Sequence, residues 1–317
     1  MDELNPGKVG QVRCAQGLGA GFLWPRPLCF KLVTMNKKRL EPYLYLAPAV
    51  LVIAAVLVFP LFYTFYMSFA EKILGQAISG FGLQNFGEVL LEGRFISSLA
   101  KSLIFTFVAV FTKLVLGLIL ALLLNRSFRG RGFFRAYFFL PWAIPWFTVA
   151  ILFLWLFRLT GGINTMLGAL GIFPVFWLGR DLALVSGIIA NVWKGFPFFM
   201  VSLLAGLQAI PRELYEAAQV DGAGPLQQFL HVTLPGLRNV ILIVCTLSTL
   251  WTFGLFELLY IMTGGGPGDA SKVLPILVYE TGISMYQFGK GAAMAVLTVP
   301  LILLWVFILV RLLRREA

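Results

Sequence analysis

The sequence predicts an all-α integral membrane protein with six transmembrane helices and a pair of short cytoplasmic helices between the fourth and the fifth. Three observations carry this. Of 317 residues, 59% are hydrophobic and only 12% charged, where soluble domains carry about 25% charged residues. The apolar residues fall into six runs, 43–68, 102–124, 136–157, 182–207, 239–262 and 291–310, each near the roughly 20 residues a helix needs to cross a hydrocarbon core. Between the fourth and fifth runs lies one polar segment with helical spacing, 211–235.

Along the chain, residues 1–34 are Gly-rich and lack periodicity. They are expected to be a disordered cytoplasmic tail or a mis-assigned start, with the natural beginning at Met35-Asn36-Lys37-Lys38-Arg39, a basic head before the first span. Residues 35–317 then form one transmembrane domain. Pro48 and Pro60 in the first span are tolerated because membrane helices accept proline readily. Pro141-Trp142-Ala143-Ile144-Pro145 in the third and Gly195-Phe196-Pro197 in the fourth predict functional bends. Outer loops are expected at 70–101, 158–181 and 263–290. Phe81–Leu91 and Leu274–Phe288 within them read as amphipathic pieces suited to an external partner, and Gly264-Gly265-Gly266-Pro267 as a loop rather than a phosphate cradle.

The polar segment divides at glycine. Pro211 opens a short helix in which Glu213 and Glu216 favour the positive N-terminal end and Leu214, Ala217 and Ala218 share a face. Gly222 and Gly224 permit a turn, Pro225 opens a second helix carrying Leu226, Phe229 and Leu230, and Leu234-Pro235 is expected to end it. Spacing alone fits a protein-docking knob and an amphipathic hairpin on the membrane surface equally well.

The net charge of +11 reports orientation rather than nucleic-acid binding. Lys31, Lys37, Lys38, Arg39, Arg126, Arg129, Arg131, Arg135, Arg212, Arg238, Arg311, Arg314 and Arg315 fall on one side; Lys72, Arg94, Lys101, Arg158, Arg180, Lys272 and Lys290 on the other. By the positive-inside rule both termini and the 211–235 loop are cytoplasmic. Cys14, Cys29 and Cys245 have no metal-ligand spacing and form no even framework. No Gly-x-x-x-x-Gly-Lys-Ser/Thr occurs, and His231 is the single histidine, so no catalytic site is evident.

Three charged residues lie within spans: Lys113, Lys194 and Glu257. Such charges cost a few kcal/mol and face a cavity, a partner or one another. Counted from the outer ends, Lys113 and Lys194 lie roughly 16–18 Å deep and Glu257 about 8 Å, so a Lys194–Glu257 pair requires the lysine to reach outward. Trp193, Phe196, Phe198, Trp251, Phe253, Phe256 and Tyr260 surround them and could stack on the C–H faces of sugar rings or serve as ordinary packing.

Glu216-Ala217-Ala218, Asp221-Gly222-Ala223 and Val232-Thr233-Leu234-Pro235 resemble the coupling loop of binding-protein-dependent ABC importer permeases. With Trp193-Lys194-Gly195-Phe196-Pro197-Phe198, Leu207-Gln208-Ala209-Ile210-Pro211 and Thr263-Gly264-Gly265-Gly266-Pro267, residues 35–317 resemble the larger permease subunit of maltose and glycerol-phosphate importers. The resemblance implies that Glu216, Ala217, Ala218, Asp221, Gly222 and Ala223 dock an ATPase. It places Phe198, Trp251, Thr252 and Leu255 at the solute, joined by Glu257 and Lys194 from the charge argument. It implies a second homologous permease, two copies of an ABC ATPase that hold ATP and magnesium, an external solute-binding protein, no cofactor in this chain, and a place in the inner membrane of a prokaryote. Apolar Phe198 and Leu255 and acidic Glu257 depart from the maltose pattern. Other readings are an ABC permease for a non-sugar solute, an ion-coupled secondary transporter of a small polar solute with Lys113, Lys194 and Glu257 as relay, and a membrane scaffold.

Overall fold

The structure is a computed structural model in which residues 37–71 and 78–314 are described, the side chains of 37–44, 309 and 312–314 excepted. The expectations for residues 1–34, and for Cys14, Cys29, Lys31 and Lys72, lie outside them. All named elements among the described residues are helical. Five stretches are long and apolar enough to cross a membrane: Tyr45–Ser68, Gly93–Asn125, Ala183–Ala209, Pro225–Phe253 and Phe288–Ile308. A bent pair of helices supplies a sixth crossing if it passes through as one span.

The first span comprises α1 (Lys37–Ile53), a π turn at Ala54–Val58 and α2 (Phe59–Ser68). Then come α3 (Gln84–Leu91), which matches the expected Phe81–Leu91 piece, and α4 (Gly93–Asn125), which starts well before the expected residue 102. The third span is not one helix. It is α5 (Arg131–Ala143) and α6 (Trp146–Leu156), bent by 93° between Pro141 and Trp146. Pro145 cannot donate to the helical ladder and disfavours helical backbone at Ile144, which is extended here. A short α7 (Gly162–Ala169) leads to α8 (Ala183–Ala209), which continues as one helix through Pro197.

After α9 (Arg212–Val220) and α10 (Pro225–Gln228), a π turn at Phe229–Thr233 leads directly into α11 (Leu234–Phe253). Pro235 therefore does not end the helix. Leu234 N–H bonds to the Phe229 carbonyl five residues back, and this widened turn accommodates a proline that lacks an N–H and crowds the preceding turn. Pro60 follows the Ala54–Val58 π turn at the same spacing. The expected fifth span also stops early: α11 ends at Phe253, and α12 (Glu257–Thr263) starts after an irregular Gly254-Leu255-Phe256. The last elements are α13 (Leu274–Tyr279), a π turn at Glu280–Ser284 and α14 (Phe288–Arg314).

Within the unit spanning 55–317, α4 and α8 form the central pair. A Cβ at Gly117 would lie 3.0 Å from the Met200 amide nitrogen, so glycine lets the two backbones approach closely. Leu237 and Val244 of α11 pack beside Phe199, Met200 and Leu203. A second core joins Phe105, Phe153, Ile188, Leu258 and Leu259 from α4, α6, α8 and α12. The third contains Val89, Phe95, Leu274, Leu277 and Met294. Within Leu274–Phe288, Leu274, Ile276 and Leu277 turn inward while Ile283, Met285 and Tyr286 stay exposed. The Thr263–Lys272 loop is stapled to α4: Arg94 pairs with Asp269 at 3.2 Å and Glu280 at 3.4 Å, and Lys101 donates to the Asp269 carbonyl at 2.7 Å.

Candidate functional site

The α11–α12 break and the bent third span face one another across α8. Between them lies a cavity of about 530 Å³. All six residues expected at the solute line it: Lys194 and Phe198 from α8, Trp251 and Thr252 from the end of α11, Leu255 from the break and Glu257 from the start of α12. Trp251 is 54% exposed, and its ring lies 5.2 Å from that of Phe198 at 63°.

Why these groups meet follows from local structure. Thr252 and Ser248 are four residues apart, so α11 presents both hydroxyls on one face. Lys113 of α4, only 3% exposed, reaches across and donates to Thr252 Oγ1 at 3.0 Å and Ser248 Oγ at 3.4 Å. Its path requires Gly195. A Cβ there would sit 2.6 Å from Lys113 Cε and 2.8 Å from Cδ, so Lys194-Gly195 is both a cavity wall and the slot for a second lysine.

Lys194 does not pair with Glu257; among the described residues no ion pair joins them. Instead Lys194 Nζ donates to the Trp142 carbonyl at 2.9 Å and lies 5.0 Å above the Trp146 ring. The bend frees the Trp142 carbonyl, which in a continuous helix would accept from residue 146. A lysine is the natural cap for such a helix C-terminus, and the indole face adds a cation–π contact. The sequence reading missed Trp142, Trp146 and Ser248, although the double-proline signal around the tryptophans was visible. It also scattered the aromatics too widely. Trp193 packs on Phe153, Phe196 on Phe138, and Tyr260 on Tyr279, while Phe256 does line the cavity.

The second candidate region is the 211–235 element. In α9, Ala223 N–H bonds to Ala218 O at 2.8 Å and Gly222 N–H to Gln219 O at 3.0 Å, with Gly222 at φ +78°. This is the paired closure of a helix C-terminus that needs a left-handed residue. Gly224 then precedes Pro225, and Gln227 Oε1 accepts from Gly224 N–H at 2.8 Å. None of the α9 side chains is buried. Glu216, Ala217, Asp221 and Gly222 are exposed, Ala218 and Ala223 half-buried; Leu214, Val220 and Leu226 are exposed apolar residues beside them. Tyr215 Oη and Thr233 Oγ1, 3.0 Å apart, tie α9 to the π turn that leads into α11.

Residues 113–317 match the family model described as binding-protein-dependent transport system inner membrane component. The trehalose/maltose transport system permease protein MalF of Thermococcus litoralis is 37% identical over 264 residues, 82% of this chain and 89% of that protein. The diacetylchitobiose uptake system permease protein DasB of Streptomyces coelicolor is 33% identical over 311 residues, 95% of this chain and 93% of the relative. Among solved structures, a bacterial ABC transporter involved in import of the acidic polysaccharide alginate shares the fold, with a TM-score of 0.77 at 22% identity over 89% of this chain and 97% of that one.

Proposed function

The chain belongs to the family of binding-protein-dependent transport system inner membrane components, and on that premise we propose that it carries a sugar or sugar-like solute through the cavity between α8, the bent third span and the α11–α12 break. It is a multi-pass inner-membrane permease, a transport subunit of an ABC importer that works with partner chains. One observation carries the assignment of the pathway: aromatic plates and polar groups converge on one cavity between membrane-crossing helices, the combination that sugar rings with apolar faces and many hydroxyls require.

In this reading a second, homologous permease supplies the other half of the pathway. An external binding protein delivers solute, and two ATPase chains holding ATP and magnesium dock on Glu216, Ala217, Ala218, Asp221, Gly222 and Ala223. Both termini and this element then face the cytoplasm, as the distribution of Lys and Arg favours. The exposed apolar residues of α9 give the ATPase its contact. From there a continuous helical run of 29 residues, Pro225–Phe253, extends about 43 Å at 1.5 Å per residue and ends at Trp251 and Thr252. A push on α9 is delivered to the solute by the far end of the same rod, while α8 leaves α9 directly through Ile210-Pro211.

Cysteines placed at 251, 252 and 257 in the assembled importer should react with water-soluble maleimides, with rates that change during ATP turnover. Reaction only with lipid-soluble reagents would put these positions against lipid and the pathway elsewhere. Gly222→Asp tests the other end. Gly222 stands at φ +78° in open space, so Gly222→Asp strains this exposed corner alone, and the chain should insert normally yet lose stimulated ATPase activity and uptake; full coupling in that variant would remove the docking assignment.

A further inference from the structure

We propose that the solute of this cavity carries an acidic group, a carboxylate, phosphate or sulfonate on a saccharide or polyol, and that Lys113 receives it. The inference rests on the solute-pathway reading above and adds the charge class of the solute. The ionisable side chains lining the cavity are Lys113, Lys194 and Glu257. Neither lysine is ion-paired with Glu257 among the described residues, and the two are not equivalent.

Lys194 is committed to the fold. It caps the Trp142 carbonyl at the end of α5 and lies on the Trp146 ring. Lys113 has no such anchor. Its two partners are hydroxyls, which accept hydrogen bonds without neutralising charge, and an ammonium has three N–H donors. Buried among hydroxyls it has no ionic partner in the described residues, and a neutral saccharide would give it none. An acidic group at the Ser248–Thr252 end would accept the third N–H and supply the missing charge in one contact. Glu257, on the far side of the Gly254–Phe256 break, is placed for sugar hydroxyls, which it can accept from as a carboxylate. The Gly195 slot is the second observation: the backbone of the adjacent helix is shaped to let this lysine through.

The test uses the importer assembled with its own partner chains, native cysteines replaced by serine, and a thiol introduced by Gly254→Cys, a cavity-lining position where a Cβ meets only the Leu250 carbonyl at 3.6 Å. Protection of that thiol from a water-soluble maleimide is measured with trigalacturonate, trimannuronate, glycerol 3-phosphate and maltotriose. The expected result is protection by at least one acidic probe at a concentration 10-fold or more below that needed with maltotriose. The uronates and the phosphate separate the two sources of negative charge. Lys113→Met should abolish the difference and Lys113→Arg should keep it, both variants inserting and melting like the parent. Equal or better protection by maltotriose, or a preference that survives Lys113→Met, overturns the acidic class while the pathway reading stands. A thiol that no probe protects and no water-soluble reagent reaches overturns the pathway reading, and the inference with it.

Discussion

Gly195→Ala tests the construction of the cavity with a single methyl group. The added carbon would lie 2.6 Å from Lys113 Cε, 2.8 Å from Cδ and 3.1 Å from Nζ, whereas carbon atoms pack at about 3.5–4.0 Å. The lysine must therefore retreat by roughly 1 Å. Its bond to Ser248 already stands at 3.4 Å and that to Thr252 at 3.0 Å, so a shift of that size breaks the first and stretches the second past hydrogen-bonding range. A hydrogen bond from a charged donor is worth about 1.5–3 kcal/mol, and each ~1.4 kcal/mol is tenfold. Uptake efficiency of the reconstituted importer should fall roughly 10- to 100-fold as Lys113 leaves its place at the cavity, with insertion unchanged and stability lowered by about 1.5–3 kcal/mol as these bonds are lost. Because Lys113→Ala removes the atoms the methyl strikes, Gly195→Ala made on top of it should change uptake by no more than about twofold, a non-additivity expected only of groups in contact. Unaltered uptake in Gly195→Ala, or an equal loss in the Lys113→Ala background, would refute the slot.

Three further outcomes follow from the same structure. Gly117→Ala should lower thermal stability in detergent by about 1–3 kcal/mol by forcing α4 from α8, while Gly87→Ala, where a Cβ meets nothing within 4 Å, should leave it unchanged or raise it; similar melting of the two would contradict the close-packing argument. Trp251→Ala should reduce uptake at least tenfold yet leave co-purification with partner chains intact, and loss of assembly would mean that the indole packs rather than binds. The Lys272 hydrogen bond, opposed by partial burial and aided by Arg94, holds the Asp269 carboxyl below its ordinary 3.8. A depressed folded value means that the stabilisation is complete above the unfolded pKa and is lost as pH falls through the folded one. The staple between the 263–272 loop and α4 should therefore be flat from pH 7 to 5 and weaken only below 3.8. Asp269→Asn tolerates the local φ of +64° and should remove that acid sensitivity, as read by hydrogen exchange at 264–273.

The sequence by itself determined what depends on near neighbours along the chain. Apolar run length set the number of crossings, since a bilayer core demands about 20 residues whatever the tertiary contacts. Glycine at 222 and proline at 211 and 225 set the two short helices, because their backbone preferences are local. All six residues named for the solute reached one cavity. What the sequence could not decide were matters of partnership across helices. Pro235 reads as a stop, but the upstream π turn carries the helix through it. The α11–α12 break has only Gly254 to mark it, and periodicity runs on across it. Depth arithmetic suggested Lys194 with Glu257, whereas the 93° bend of the third span exposes a carbonyl that takes Lys194 instead. That leaves Lys113, admitted by Gly195, as the cavity-lining lysine held only by hydroxyls. The reason is common to all of these: hydrogen-bond orphans at helix ends are created by one segment and satisfied by another, and only the packed structure brings the two together.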